Sequence, residues 1–211
     1  MKKKQKAVLA WHFLQGNKRL RFGKKQLVKV GKKIKVDPSK LELCSYGLHA
    51  SLNPFDALSF VDWDNTYICR VELSGTIIES SNKLCASERK VLWMKKADKT
   101  LHEFACWCAE QVLPIFEKEY PDDNRPRLAI EAKRKWLKKE ISDDELDAAW
   151  AAAWATAWDA KDAWAAARAA AWAAARAAAC DAAWAAAWDA KDAQNKKLEQ
   201  MFLDLGPKKM A

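Results

Sequence analysis

The sequence predicts an α+β protein: a small antiparallel β-rich N-terminal domain, then a helical region ending in a long Ala/Trp-rich helix or helical hairpin. Three observations predict it. Residues 7–97 carry short apolar stretches, one of them cleanly alternating, punctuated by Gly and Asn-Pro turn signals. Residues 99–139 switch to helical spacing. Residues 147–193 hold 28 Ala and 7 Trp among 47 positions, with neither Gly nor Pro, a composition with high helix propensity and nothing to break a helix. The expected divisions are 1–97, 98–141, 142–205 and a tail at 206–211.

In chain order, Ala7–Leu14 is a short apolar strand. Leu20–Phe22 and Leu27–Val30 are further pieces, with turns at Gly16-Asn17, Gly23 and Gly31. Leu41–Cys44 reads as a strand. Asn53-Pro54 opens a short helix through Phe60, with Asn53 as N-cap and Pro54 at the first helical position. Tyr67–Leu73 alternates, and Gly75 is expected to turn it toward Thr76–Glu79. A last strand at about Lys90–Met94 carries Trp93. Thr100 and Glu103 then form a capping box. Phe104, Trp107, Cys108, Val112, Ile115 and Phe116 supply an apolar face, and Pro114 is expected to kink or split the helix. After a turn at Tyr120–Asn124, a second helix runs from Pro126 to near Lys139, with Leu128, Ile130 and Trp136 as its apolar contacts.

Ser142 and Glu145 form the capping box of the long helix, and Gly206-Pro207 ends it near Leu205. Unbroken, its roughly 60 residues would span ~90 Å. A bend at Cys180-Asp181, with Asp181 as a new N-cap, is the expected alternative. Trp150, Trp154, Trp158, Trp164 and Trp172 fall within a stripe about 120° wide, and Trp184 and Trp188 fall on the opposite side. Trp164, Arg168, Trp172 and Arg176 form a ladder at spacing four, suited to cation–π pairing or to covering apolar surface. Each Trp side chain buries ~150–250 Å², so such a stripe must be covered. Its cover is an intrachain fold-back, a second copy of the helix in a homo-oligomer, or a foreign protein.

The net charge is +9, and residues 1–40 alone hold 14 Lys/Arg against one acidic residue. Such a face attracts phosphates or an acidic partner, so nucleic-acid binding through the Lys-rich N-terminal region is an alternative. No helix-turn-helix, Cys/His finger or aromatic–basic interleaving accompanies it. No 18-residue apolar run free of charge occurs, so no membrane span is expected. The six cysteines, 44, 69, 85, 106, 108 and 180, include no C-x-x-C pair. Neither a zinc site nor a disulfide framework is read, and a reducing cytoplasm is the expected location.

The segments AWHFL at 10–14, RLRFG at 19–23, LCSYGLHASLNPFDALSF at 43–60, ICRVELSG at 68–75 and NKLCASERKVLW at 82–93 resemble a domain-of-unknown-function family widespread in bacteriophages and bacterial genomes. Most of residues 10–93 is covered, and GLHAS-x-x-P-x-DAL is the specific part. That resemblance implies a phage or prophage setting and little chemistry. CAEQVLPIFEKEYPDDNRPRLAIEAKRKWL at 108–137 is similar to a helical immunity-protein module. This second resemblance implies a protein that neutralises a toxin or effector by binding it.

Catalytic signatures are absent: no G-x-G-x-x-G, Walker loop, H-E-x-x-H or G-x-S-x-G occurs. Asp56, Asp62 and Asp64 lack EF-hand spacing and read as a solvated loop, so no metal is expected. Gly47-Leu48-His49-Ala50 is loosely similar to the NAD-holding turn of ADP-ribosyltransferase-like folds, with His where an aromatic is usual. That likeness implies an alternative NAD or nucleotide site on His12, Tyr46 and His49, with Glu72 or Glu88 as a distal acid. The bland reading of His49 is a side chain hydrogen-bonded into the fold. The leading expectation is a non-enzymatic, cofactor-free interaction protein of phage type that neutralises a host defence factor or toxin through the Trp-rich helix and nearby basic surface.

Overall fold

The structure, a computed structural model, describes residues 6–20, 26–58, 65–153 and 179–207, and for 179–188 only the backbone. It is α+β: an antiparallel sheet followed by helices. The chain forms two compact units. One comprises residues 1–101 with 194–211, and the other residues 102–193.

The first unit is built on a long hairpin. Strand β4 (Thr66–Glu79) pairs antiparallel with β5 (Leu84–Lys96), and Ser80 N–H donates to Lys83 O at the turn. β1 (Val8–Gln15) lies on the outer edge of β4. β2 (Lys33–Lys35) and β3 (Leu48–Ala50) share the far edge of β5. The sheet curls until β1 meets the end of β3, where Trp11 and Ser51 exchange backbone hydrogen bonds of 2.7 and 2.9 Å. The interior of the curl holds Ala10, Leu14, Leu48, Ala50, Cys69, Val71, Leu73, Leu84, Ala86 and Val91.

Several expectations are corrected here. Gly75 does not end a strand. It sits at φ +80° in an irregularity of β4 between Ser74 and Ile77, and the strand runs on to Glu79. β5 is longer than Lys90–Met94 because its partner continues. Leu41–Cys44 is a tight turn, with Glu42 bridged to Tyr46, and Leu48–Ala50 of the expected Gly47–Ala50 turn is a strand. Of the piece expected at 20–22, residues 21 and 22 lie outside the described residues, and the piece at 27–30 contributes isolated bridges, Leu27 to Arg19 and Val30 to Val91.

The outer face of the sheet is apolar too. Trp11, Phe13, Ile68 and Trp93 are buried there. Helix α1 (Pro54–Leu58) and the last turns of α5 (Ala179–Leu205) supply further buried side chains to the same unit. Asn195, Leu198 and Phe202 recur at spacings of three and four, the period that puts them on one helix face. Phe202 lies 5.9 Å from Trp11 and 5.8 Å from Phe13, centroid to centroid, and Asn195 Oδ1 accepts from Phe55 N–H. The helix stops at Leu205 as expected, with Gly206 N–H closing on Phe202 and Leu203 carbonyls. Asp181 lies inside α5, not at an N-cap.

The second unit is helical. α2 (Asp98–Glu119) begins two residues before Thr100, so the capping box expected at Thr100–Glu103 does not start it. Asp98 instead accepts from Thr66 N–H within the first unit. Pro114 sits inside α2 without dividing it. α3 (Arg125–Leu137) follows the turn. Helix α4 opens at residue 143 and is described through residue 153. Its capping box forms as expected: Glu145 N–H donates to Ser142 Oγ, while Glu145 Oε2 accepts from Ser142 N–H at 2.9 Å. Among the described residues, no helix is long and apolar enough to cross a membrane.

Candidate functional site

Helices α2 and α3 run antiparallel, fastened by two bidentate arginine forks. Arg127 Nε and Nη2 donate to Glu117 at 2.7 Å each, and Arg134 Nε and Nη2 donate to Glu110 at 2.6 Å each. His102 packs edge-on against Trp136 at 5.7 Å, and Lys133 lies 3.9 Å over the same indole. At the turn, Arg125 makes a third fork on Asp123. The paired arginine holds Glu110 below the usual carboxylate range, and the carboxylate raises Arg134 in return. These pairs are partly solvated, so each contributes modestly to stability; the planar fork chiefly fixes direction.

The clamped pair leaves apolar side chains in solvent. Val112 and Ile115, one turn apart on α2, are 59% and 68% exposed, and Leu128 on α3 is 49% exposed. All three were expected to be packed. Phe104, Cys106 and Leu113 take the buried positions of α2. Tyr120, stacked on Phe116 at 4.9 Å, is also exposed. Basic residues Lys135, Lys138 and Lys139 stand in solvent at the end of α3. Two large aliphatic side chains exposed one turn apart on a rigid helix form an anchor of the kind that protein interfaces bury.

Of the tryptophan stripe, Trp150 is described and is 50% exposed. Trp154, Trp158, Trp164, Arg168, Trp172 and Arg176 lie outside the described residues, as do the side chains of Trp184 and Trp188.

In the β unit the structure brings His12 and His49 together around Arg89, a residue that sequence reasoning missed. Arg89 sits on β5 and is 2% exposed. Its Nη1 donates to His49 O at 2.7 Å. Burial, then the positive charges of Arg89 and His49, hold the His12 imidazole well below its ordinary value. His49 is lowered by burial, Arg89 and Lys83, and its Nε2 accepts from Cys44 N–H at 3.1 Å. That bond fastens the 42–46 turn to β3. Burial pushes the Cys69 thiol up to about 12, against the pull of Arg89, and lowers Arg89 itself to about 10. Tyr46 does not join this group: its hydroxyl accepts from Asp37 N–H. Glu88 accepts from Lys33, Lys35 and Ser74, which hold it at about 2. Two lysines of the basic N-terminal region are thereby neutralised within the fold. Only an alternating strand carrying an Arg on its inward side could have pointed to Arg89, and the irregularity at Ser74–Ile77 hides that alternation.

Among the described residues no group of acidic, His or Cys side chains is placed to hold a metal ion, and Cys44, Cys69, Cys85, Cys106 and Cys108 are free thiols.

Residues 15–103 match a domain of unknown function (DUF7666). Residues 92–201 match the family described as Imm-5 like putative immunity protein. The two matches overlap in β5 and the start of α2, and the second takes in α3 and most of α5. No curated protein and no solved structure matches the chain. Because the second match spans more than half of the 211 residues, the protein belongs to the Imm-5 like putative immunity protein family.

Proposed function

We propose that the protein is a non-enzymatic inhibitor that binds a toxin or effector and blocks it. The carrying observation is the exposed Val112–Ile115 pair on α2, within the segment that matches the immunity family. An interface core is apolar and its rim polar. Val112, Ile115 and Leu128 supply the core, and the exposed end of α3, with Lys135, Lys138 and Lys139, supplies a basic rim. Such a rim suits an acidic surface on the target and raises its association rate. The α2–α3 forks support this reading because a helix pair held in one orientation binds with less ordering cost. Trp150, exposed on α4, opens the Ala/Trp tract, which serves in this reading as a further contact surface or as a seam with a second copy. In this reading the chain acts in the cytoplasm, and a phage setting for the N-terminal half would make a host defence factor the target alternative to a toxin.

The test is co-expression with toxins or effectors encoded in the same genome, scoring growth rescue by the chain and by a Val112→Asp/Ile115→Asp variant. Rescue by the first and none by the second, at equal Tm, is the expected result. Rescue that survives both substitutions would remove α2 from the interface. No rescue and no measurable complex with any of them would overturn the inhibitor reading.

A further inference from the structure

We propose that the interior of the β unit is a binding site for a small oxyanion, a carboxylate or phosphate group seated on the Nε–Nη2 edge of Arg89. This site is independent of the interaction face on α2 and α3.

Three other arginines in the same chain show what that edge does. Arg125, Arg127 and Arg134 each present Nε and Nη2 to the two oxygens of one carboxylate, at 2.6 to 2.9 Å. The fork geometry matches an oxyanion with two available oxygens. In Arg89 the same edge is buried, and neither Nε nor Nη2 has a hydrogen-bond partner. Only Nη1 is engaged, on His49 O. A buried cation without a paired anion is costly, and buried N–H groups are almost always satisfied. Among the described residues no carboxylate faces Arg89. Its titratable neighbours are the imidazoles of His12 and His49, both held toward the neutral form, with Lys83 beyond, and the nearby acidic group is the Cys69 thiol, which burial keeps protonated. Arg89 is thus a buried positive charge that no anion faces among the described residues.

The guanidinium lies where the sheet's pairing is interrupted. β1 and β3 are joined at Trp11 and Ser51, and no ladder pair continues that seam among the described residues. The next hydrogen-bonded pair would use Phe13 and His49, but the His49 carbonyl is taken by Arg89 instead. The guanidinium is therefore wedged into the seam. His12, on β1 at that level, keeps part of its surface in solvent and adds a neutral imidazole beside the fork. A terminal carboxylate or phosphate group offers the two oxygens that this edge takes. A large ligand would have to remain outside the seam with only its anionic tip inserted.

The experiment uses the full chain labelled with 15N-arginine and follows the Arg Nε–H resonances during titration with inorganic phosphate and, separately, acetate. Ionic strength is held constant with chloride. One resonance, absent from an Arg89→Met variant, is expected to shift with saturation at millimolar anion, while the occupied Arg125, Arg127 and Arg134 stay still. The arm that saturates at lower concentration names the group. Tm is expected to rise with the same midpoint in wild type and to stay flat in Arg89→Met and Arg89→Lys. Should neither variant fold, the wild-type titration alone decides. A saturating shift of one slowly exchanging Nε–H supports the site, and no shift beyond the chloride control overturns it, leaving water as the occupant. The growth-rescue outcome above bears on neither result.

Discussion

The indole Nε1 of Trp11 donates to Glu199 Oε1 at 3.2 Å, across 188 positions of sequence. Around that bond the two ends of the chain build one core. Trp11 meets Trp93 edge-on at 5.7 Å, Arg70 lies 4.4 Å over the Trp11 ring, and Phe202 closes the group. The first strand and the last helix therefore stabilise each other, and the hairpin between them carries the ring contacts.

Phe202→Ala is accordingly expected to destabilise the β unit by about 3–5 kcal/mol, the cost of deleting a fully buried aromatic. Urea denaturation followed by the Trp fluorescence of the β unit measures it. A loss below about 1 kcal/mol would mean that the last turns of α5 do not seal the outer face. Truncation after Ile141 removes Leu198 and Phe202 as well as the Ala/Trp tract. The shortened chain is expected to self-associate through the uncovered Trp11, Phe13 and Trp93.

The α+β class, the alternation at Tyr67–Leu73, the Ser142–Glu145 box and the stop at Leu205 were legible because each rests on local chemistry. The attachment of Asn195, Leu198 and Phe202 to the first strand was not. Their spacing of three and four marks an apolar face but does not say what covers it. The same ambiguity, in reverse, hid the interaction face. Val112 and Ile115 have the spacing of core residues, and only tertiary structure shows that Phe104, Cys106 and Leu113 take the inner positions. His12 and His49 were singled out as residues, but their common neighbour Arg89 was not. It reaches them across the curled sheet, a relation set by strand pairing between β3 and β5.

Stability is expected to fall as pH drops from 7.5 to 5.5. His12 and His49 are both held below the ordinary value of 6.5, so the folded protein binds fewer protons than the unfolded chain in this range. Their contribution is present above the unfolded value and lost as pH falls toward the folded ones. The paired carboxylates Glu88 and Glu110 are shifted downward and act only below about 4.5. A chemical-denaturation series across this window checks the slope. His12→Gln should flatten it, and a wild-type profile already flat between 7.5 and 5.5 would count against buried neutral imidazoles.

Ser142→Ala removes one side of the reciprocal cap that opens α4. The expected cost is about 1 kcal/mol, local to the first turn. Amide exchange at residues 144–146 should quicken several-fold, with no change in the β unit. Unchanged exchange there would show that the helix start is held by something other than its cap.

Gly75 tests whether the β4 irregularity is required. Its φ of +80° disfavours any side chain, and a Cβ at that position would fall 2.2 Å from Ser87 Oγ. Ser87 Oγ already accepts from Thr76 N–H at 2.9 Å, so it cannot rotate away without losing that bond. Gly75→Ala is expected to destabilise by about 1–2 kcal/mol from the left-handed backbone alone, and by more once Ser87 is displaced. The double variant Gly75→Ala/Ser87→Ala relieves the clash but not the backbone cost, so it should recover part of the loss. Full recovery would place the whole penalty in the Ser87 contact; no recovery would place it in the backbone. Because Arg89 pairs with Leu73 beside this irregularity, a change of the Arg89 Nε–H resonance in Gly75→Ala would show that the bulge holds the guanidinium in place, and an unchanged resonance would show that it does not.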